Sequence, residues 1–236
     1  MVLTSFLVAG LIQCASVMAL PLVKRGVRSG LLTSCTSPNQ FALTFDDGPY
    51  EFTSALIDYL VSEDVVATFF VNGNDYWSDE AEIDQVLQKA FSHNMEIASH
   101  TYTHPDLSTL SDDEVRKQMT DNENVIMKAI GKKPAVMRPP YGSVTDRQIK
   151  VLNDIGYSVV TWNIDEQDWQ SPSLDEEETT LERALATNSP TGYISLEHDV
   201  YEQTATELAP AIVKAVKAKG LKFVTVADCL GVSPYQ

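Results

Sequence analysis

The chain has 236 residues, 44% of them hydrophobic and 21% charged, with a formal net charge of −16. That is enough apolar material for one sizeable core, and the ordinary charged fraction speaks against global disorder. The acidic balance speaks against nucleic acid as a partner, because phosphate backbones are held by clustered Lys and Arg.

In chain order, Val2 to Ala19 is an apolar run without charge, and Val17-Met18-Ala19 places small residues where signal peptidase prefers them. Residues 1–19 are therefore expected to be a secretory signal peptide. Lys24-Arg25 is a dibasic pair placed like a processing site, so residues 20–25 read as a propeptide and residues 26–236 as a single domain. Removing the leader and propeptide leaves 15 basic residues against 33 acidic ones, a charge of −18. The expected product is secreted and extracellular, with no membrane association after cleavage, and no oligomer signature departs from a monomer. Two cysteines remain, Cys35 and Cys229, and in an oxidising compartment they are expected to pair.

Beyond the leader, short apolar runs alternate with amphipathic stretches. Phe41–Phe45, Val65–Val71, Met95–Ser99, Ala135–Met137, Tyr157–Trp162, Tyr193–Leu196 and Phe223–Val226 read as strands, being short and rich in β-branched or aromatic residues. Thr53–Ser62, Glu80–Ser92, Asp112–Ile130, Asp146–Ile155, Asp175–Thr187 and Glu202–Lys219 read as helices. Ser111 with Glu114 three residues on predicts a capping box, and Gly131, Gly156 and Gly220 stand where helices should end. Such alternation implies a mostly parallel sheet with helices outside it, either open or closed into a barrel. Polar residues at the carboxyl ends of many different strands favour the barrel.

Those strand ends carry the chemistry. Asp46-Asp47-Gly48-Pro49 follows the first strand, His100-Thr101-Tyr102-Thr103-His104 the third, and Arg138-Pro139-Pro140-Tyr141 the fourth. Asp165, Asp168 and Trp169 come after the fifth, and Glu197-His198-Asp199 after the sixth. Two histidines four apart converge in a helical turn or tight loop, and with Asp47 they form a His2Asp set that leaves a position open for water, the pattern of a catalytic zinc site. Asp46, beside Asp47, is placed to accept a proton from that water. His93 falls at a helix end without a chemical role. Asp168 reads as a supporting residue and Asp199 as a cap of the next helix, with tuning of the adjacent His198 as the alternative.

Taken together, Thr44-Phe45-Asp46-Asp47-Gly48-Pro49, His100 to His104, Arg138 to Tyr141, Asp165-Glu166-Gln167-Asp168-Trp169 and Leu196-Glu197-His198 resemble, in order, the five motifs of the polysaccharide deacetylases. This is carbohydrate esterase family four, the NodB homology domain, and the likeness is nearest to secreted fungal chitin deacetylases. The resemblance spans roughly Ser34 to Gly231. It implies an α/β fold, a distorted (β/α) barrel with an incomplete ring of parallel strands and its active site at their carboxyl ends. It implies Asp47, His100 and His104 as ligands of one divalent metal, zinc with cobalt as the alternative. It implies Asp46 as general base, His198 as general acid, Arg138 as the arginine orienting the base, and Asp165 as the acid tethering that arginine. The Tyr141 N–H is implied as oxyanion donor, with Trp169 and Leu196 as walls of the groove. Tyr50, Tyr102 and Trp77 are expected to stack on sugar rings. The implied activity is removal of N-acetyl groups from chitin or chitin oligosaccharides. Acetyl xylan, peptidoglycan and a non-catalytic chitin-binding role are the competing readings.

Overall fold

A computed structural model describes residues 26–77, 79–170 and 173–236, so the expected signal peptide and propeptide lie outside the described residues. Ten strands are described: β1 (Leu31–Leu32), β2 (Gln40–Ala42), β3 (Thr44–Asp46), β4 (Thr68–Val71), β5 (Glu96–Ser99), β6 (Val136–Met137), β7 (Ser158–Val160), β8 (Ile164–Asp165), β9 (Tyr193–His198) and β10 (Lys222–Phe223). Seven α-helices accompany them: α1 (Thr53–Ser62), α2 (Glu80–Ser92), α3 (Asp112–Ile130), α4 (Asp146–Asp154), α5 (Leu174–Ala186), α6 (Ala209–Lys219) and α7 (Val226–Leu230).

Every ladder is parallel. The strands run β1-β7-β6-β5-β4-β3-β9, with β2 continuing the line of β3 against β9, β10 beside β2, and β8 on the other side of β9. Among the described residues no ladder joins β8 to β7 or β1. The ring is therefore incomplete, and the chain itself crosses the opening between Val160 and Ile164. This is the distorted, unclosed (β/α) barrel that the sequence implies.

Strand periodicity sets which residues face inward, because alternate side chains point to opposite faces. Ala42, Phe70, Ala98, Val136, Val160 and Ile194 form one buried cluster with Val226, Ala227 and Leu230 of α7. The intervening Phe41, Leu43, Phe45, Phe69, Val71 and Ile97 pack instead under the helices. Counting in steps of two from the inward set reaches Asp46, His100, Arg138, Trp162 and His198, all at the carboxyl ends.

Local signals explain the helix boundaries. Ser111 and Glu114 form the expected reciprocal capping box, and Gly131 ends α3 at φ 66°. The face of α3 that is buried carries Val115, Met119, Asn122, Ile126 and Ala129, spaced three or four apart as a helix requires. Two expectations are corrected. The stretch Glu202–Lys219 is not one α-helix: Thr204–Leu208 is π-helical and α6 starts at Ala209. Pro210 has no N–H to return to the preceding turn, so the helix widens there. The strand expected over Phe223–Val226 stops at Phe223, because Thr225 caps α7 by accepting from the Asp228 N–H. Cys35 and Cys229 are joined in a disulfide that fastens α7 beneath the barrel.

Candidate active site

At the carboxyl ends of the strands lies an open cleft of about 630 Å³. Asp46, Asp47, His104, Tyr141, Asp165, Trp169, Leu196 and His198 line it, while His100 and Arg138 lie buried beneath. The structure thus brings the sequence-selected residues to one place.

Successive residues of a strand point apart, yet Asp46 and Asp47 both face His100. Asp47 is in the left-handed region at φ 73°, which turns its carboxylate back inward. His100 Nε2 lies 3.7 Å from Asp46 Oδ2 and 3.4 Å from Asp47 Oδ1, and His104 Nε2 is 3.2 Å from the same Asp47 oxygen. Thr101 and His104 also have positive φ, at 73° and 53°, and Tyr141 at 59°. Four non-glycine residues in this costly conformation around one site show backbone strain concentrated where groups are aimed.

Each charged group has an identifiable partner. Arg138, wholly buried, donates from Nη1 to Asp46 Oδ1 at 2.8 Å and to Thr44 Oγ1 at 2.7 Å, and from Nη2 to the Thr161 carbonyl at 3.3 Å. Its guanidinium lies 4.2 Å from the Phe70 ring centre, a cation–π contact. Asp165 does not reach it: Asp165 Oδ1 accepts from the Gln167 N–H at 2.9 Å and from the Trp169 indole at 3.3 Å. The arginine is held by Asp46 and Thr44, and Asp165 acts on it only through space, which departs from the tether that the resemblance implies.

His198 is governed by Asp168. The carboxylate bonds His198 Nδ1 at 2.7 Å, accepts the His198 backbone N–H at 2.8 Å, and is fixed in turn by the Thr204 hydroxyl at 2.8 Å. Burial would lower the imidazole pKa, but Asp168, with Asp46 and Asp47 behind it, raises it to about 9. Asp168 thus stands as a supporting residue that holds the imidazole, as the sequence reading has it. Asp199 is not the cap of the following helix. It is buried against Gly48, where any Cβ would collide with its carboxylate, and accepts from the Thr53 hydroxyl. Burial pushes it up to about 7.

The donor set fits a divalent cation. One ligand atom from each of Asp47, His100 and His104 lies within 4.8 Å of the others. Asp47 Oδ1 is buried with no hydrogen-bond donor to satisfy it among the described residues. His100 Nδ1 sits 2.8 Å from the Arg138 carbonyl, an acceptor, so that nitrogen carries the proton and Nε2 presents a lone pair. Burial would raise the pKa of Asp47, yet His100, His198 and His104 bring it down to about 2, and burial, then His100, lowers that of His104. Metal binding takes such a set with the carboxylate ionised and the imidazoles neutral.

The aromatic lining differs from expectation. Tyr50 packs on Phe52, Tyr76 and Trp77, and Tyr102 lies over Gly73 at a separate surface depression between α2 and α3. The cleft walls are instead Tyr76, Trp162 and Tyr201, together with half-exposed Trp169 and exposed Tyr141. Asp75 also lines the cleft and was not singled out. Inward alternation from Val160 points to Trp162, but no sequence signal marks Asp75, Tyr76 or Tyr201. As expected, His93 stands at the end of α2.

A barrel open on one side, with a His2Asp set, an Arg-held carboxylate and an Asp-held histidine at its mouth, defines a metal-dependent hydrolase of the carbohydrate esterase type. The sequence profile described as polysaccharide deacetylase matches residues 33–160, more than half of the chain, and the chain belongs to that family. It is 41% identical over 203 residues to a chitin deacetylase of Pestalotiopsis sp, covering 85% of this chain and 67% of that protein. It is 37% identical over 222 residues to a chitin deacetylase of Colletotrichum lindemuthianum, covering 92% and 90%. The solved structure of the chitin deacetylase from that fungal pathogen superposes with a TM-score of 0.81 at 34% identity, over 88% of this chain and 95% of that one.

Proposed function

We propose that the chain is a secreted, zinc-dependent chitin deacetylase that hydrolyses the N-acetyl groups of GlcNAc units, giving free amines and acetate. Similarity to two fungal chitin deacetylases along most of their length favours this substrate. The observation that carries the hydrolytic reading is the convergence of Asp47, His100 and His104 directly beside Asp46.

Amide hydrolysis needs an activated water, a stabilised oxyanion and a proton for the departing amine. Asp47, His100 and His104 would hold the cation, which when bound supplies Lewis-acid activation of water and of the acetyl carbonyl. Asp46 accepts the proton of the attacking water. Arg138 keeps that carboxylate oriented through Nη1. The Tyr141 backbone N–H, in a left-handed turn beside His104, donates to the oxyanion as the C–O bond lengthens. His198, held protonated by Asp168, gives its proton to the amine nitrogen as the C–N bond breaks. Leu196 and Trp162 offer an apolar wall to the acetyl methyl, and Trp169 a face for a sugar ring.

Mass spectrometry of a chitin tetramer, acetylated xylan and peptidoglycan fragments after incubation with the protein, with and without chelator, tests the reading. Successive losses of acetyl mass from the chitin tetramer, abolished by chelator, are expected. Loss from xylan or peptidoglycan alone would assign another substrate, and no loss from any would contradict an enzyme.

A further inference from the structure

Behind His198 lies a pair of acids that the proposed reaction does not use. β8 runs parallel to β9 with Ile164 opposite Ser195 and Asp165 opposite Leu196. One step further along the same register brings Glu166 to Glu197, so that the two carboxyl groups neighbour each other. Both are buried. The Ser195 hydroxyl donates to Glu197 Oε2 at 2.9 Å, but Glu197 Oε1 and both Glu166 oxygens find no donor among the described residues.

Two ionised carboxylates cannot rest in that arrangement. Three buried oxygens would be unsatisfied, and two negative charges would face each other out of water. A proton bound to one carboxyl removes the charge repulsion and satisfies two of the three oxygens, since a carboxylic acid donates to its neighbour. The surroundings agree. Burial first, and then Asp168 and Asp165, push Glu166 well above the usual carboxylate range. Burial, Glu166 and Asp168 do the same to Glu197, opposed by the Ser195 hydroxyl and then by Arg138.

The positions of the pair give it a task. Glu166 precedes Asp168 by two residues on the loop after β8, and Glu197 immediately precedes His198 on β9. We propose that Glu166 and Glu197 share one proton and so clamp the loop bearing Asp168 and Trp169 against the strand bearing His198, acting as positioning residues for the imidazole. The functional part rests on His198 as proton donor. The clamp does not.

The substitutions Glu166→Gln and Glu197→Gln test it, because an amide supplies the donor without titrating. The zinc-loaded protein is melted across about pH 5 to 9, and the His198 ring is titrated by NMR. Folded wild type holds a proton that unfolded glutamate releases above about 4.3, so its stability falls as pH rises. Each Gln variant is expected to show a shallower fall with the His198 titration unchanged. Glu96 and Asp199, also raised by burial, remain in every variant and cancel from the comparison. Glu166→Ala, which offers neither donor nor acceptor, is expected to drop the His198 titration from about 9 toward 6.5. It should also lower kcat by about 10-fold with KM unchanged, the scale of losing an outer partner of a working imidazole. Gln variants with the wild-type slope would overturn the shared proton, and Glu166→Ala with an unchanged His198 titration would overturn the positioning role. Melting and NMR need no substrate, so failure of the deacetylase reading would be visible separately.

Discussion

Asp47 and Glu96 are both carboxylates taken out of water, one at each end of the barrel. At the lower end Glu96 accepts from the Thr68 hydroxyl at 3.0 Å and from the Ala227 N–H at the start of α7 at 2.9 Å. Burial pushes it up to about 7, and the nearby Asp228 adds to the rise. At the upper end burial acts on Asp47 in the same direction, but three imidazoles reverse it and hold the group at about 2. The difference lies in the neighbours, since both groups are desolvated. Hydroxyl and amide donors make a carboxyl into a structural tie that tolerates a proton. Imidazoles and a buried arginine make carboxylates into anions ready for a cation and for a proton in transit.

Substitution at the upper end should produce the largest effects and separate the two adjacent aspartates. Asp46→Asn is expected to lower kcat for acetate release by about 10²–10⁴-fold, the scale of losing a general base, while metal content measured by mass spectrometry stays at wild type. Equal loss of metal would merge the two roles. Removing the disulfide at the lower end, by Cys35→Ser with Cys229→Ser, is expected to cost about 2–5 kcal/mol in denaturant unfolding, with kcat unchanged below the transition. A drop in kcat without loss of stability would break the division between the ends.

Smaller shifts sharpen the protonation contrast. In the proposed reaction His198 must be protonated to serve the leaving amine, so activity is expected to fall as pH rises through about 9. Asp168→Asn removes the main influence that raises that value, and the alkaline limb of kcat should move down by about 1–2 pH units. The smallest effect is expected from Glu96→Gln. The folded pKa of Glu96 lies above its unfolded value, so its contribution to stability is full below about 4.5 and is lost as pH rises through about 7. The variant should flatten that slope by on the order of 1 kcal/mol, read from unfolding at the two ends of the window.

The upper end was the more legible in the sequence, for a physical reason. Strand alternation and the five strings place Asp46, His100, Arg138 and His198 without knowledge of packing. The inward turn of Asp47 needs its left-handed φ, which an Asp-Asp-Gly string does not announce. The family resemblance implies Asp165 on Arg138, but the turn after β8 spends its carboxylate on Gln167 and Trp169. Tyr76 and Tyr201 sit on loops whose directions depend on tertiary contacts. Helix ends were legible where caps mark them, as at Ser111 and Gly131. They were obscured at Thr225, where a β-branched run hid a capped five-residue helix. The Glu166–Glu197 contact depends on the register of a two-residue strand, which no periodicity reveals.

The proposed deacetylation depends on one divalent cation held by Asp47, His100 and His104. Chelator-stripped protein titrated with zinc, with acetate release from chitin tetramer followed at each addition, tests it most directly. Activity should rise from background and break at about one zinc per chain, with no rise in His104→Ala over the same range. Full activity in the stripped protein, or a rise in His104→Ala that matches wild type, would contradict it.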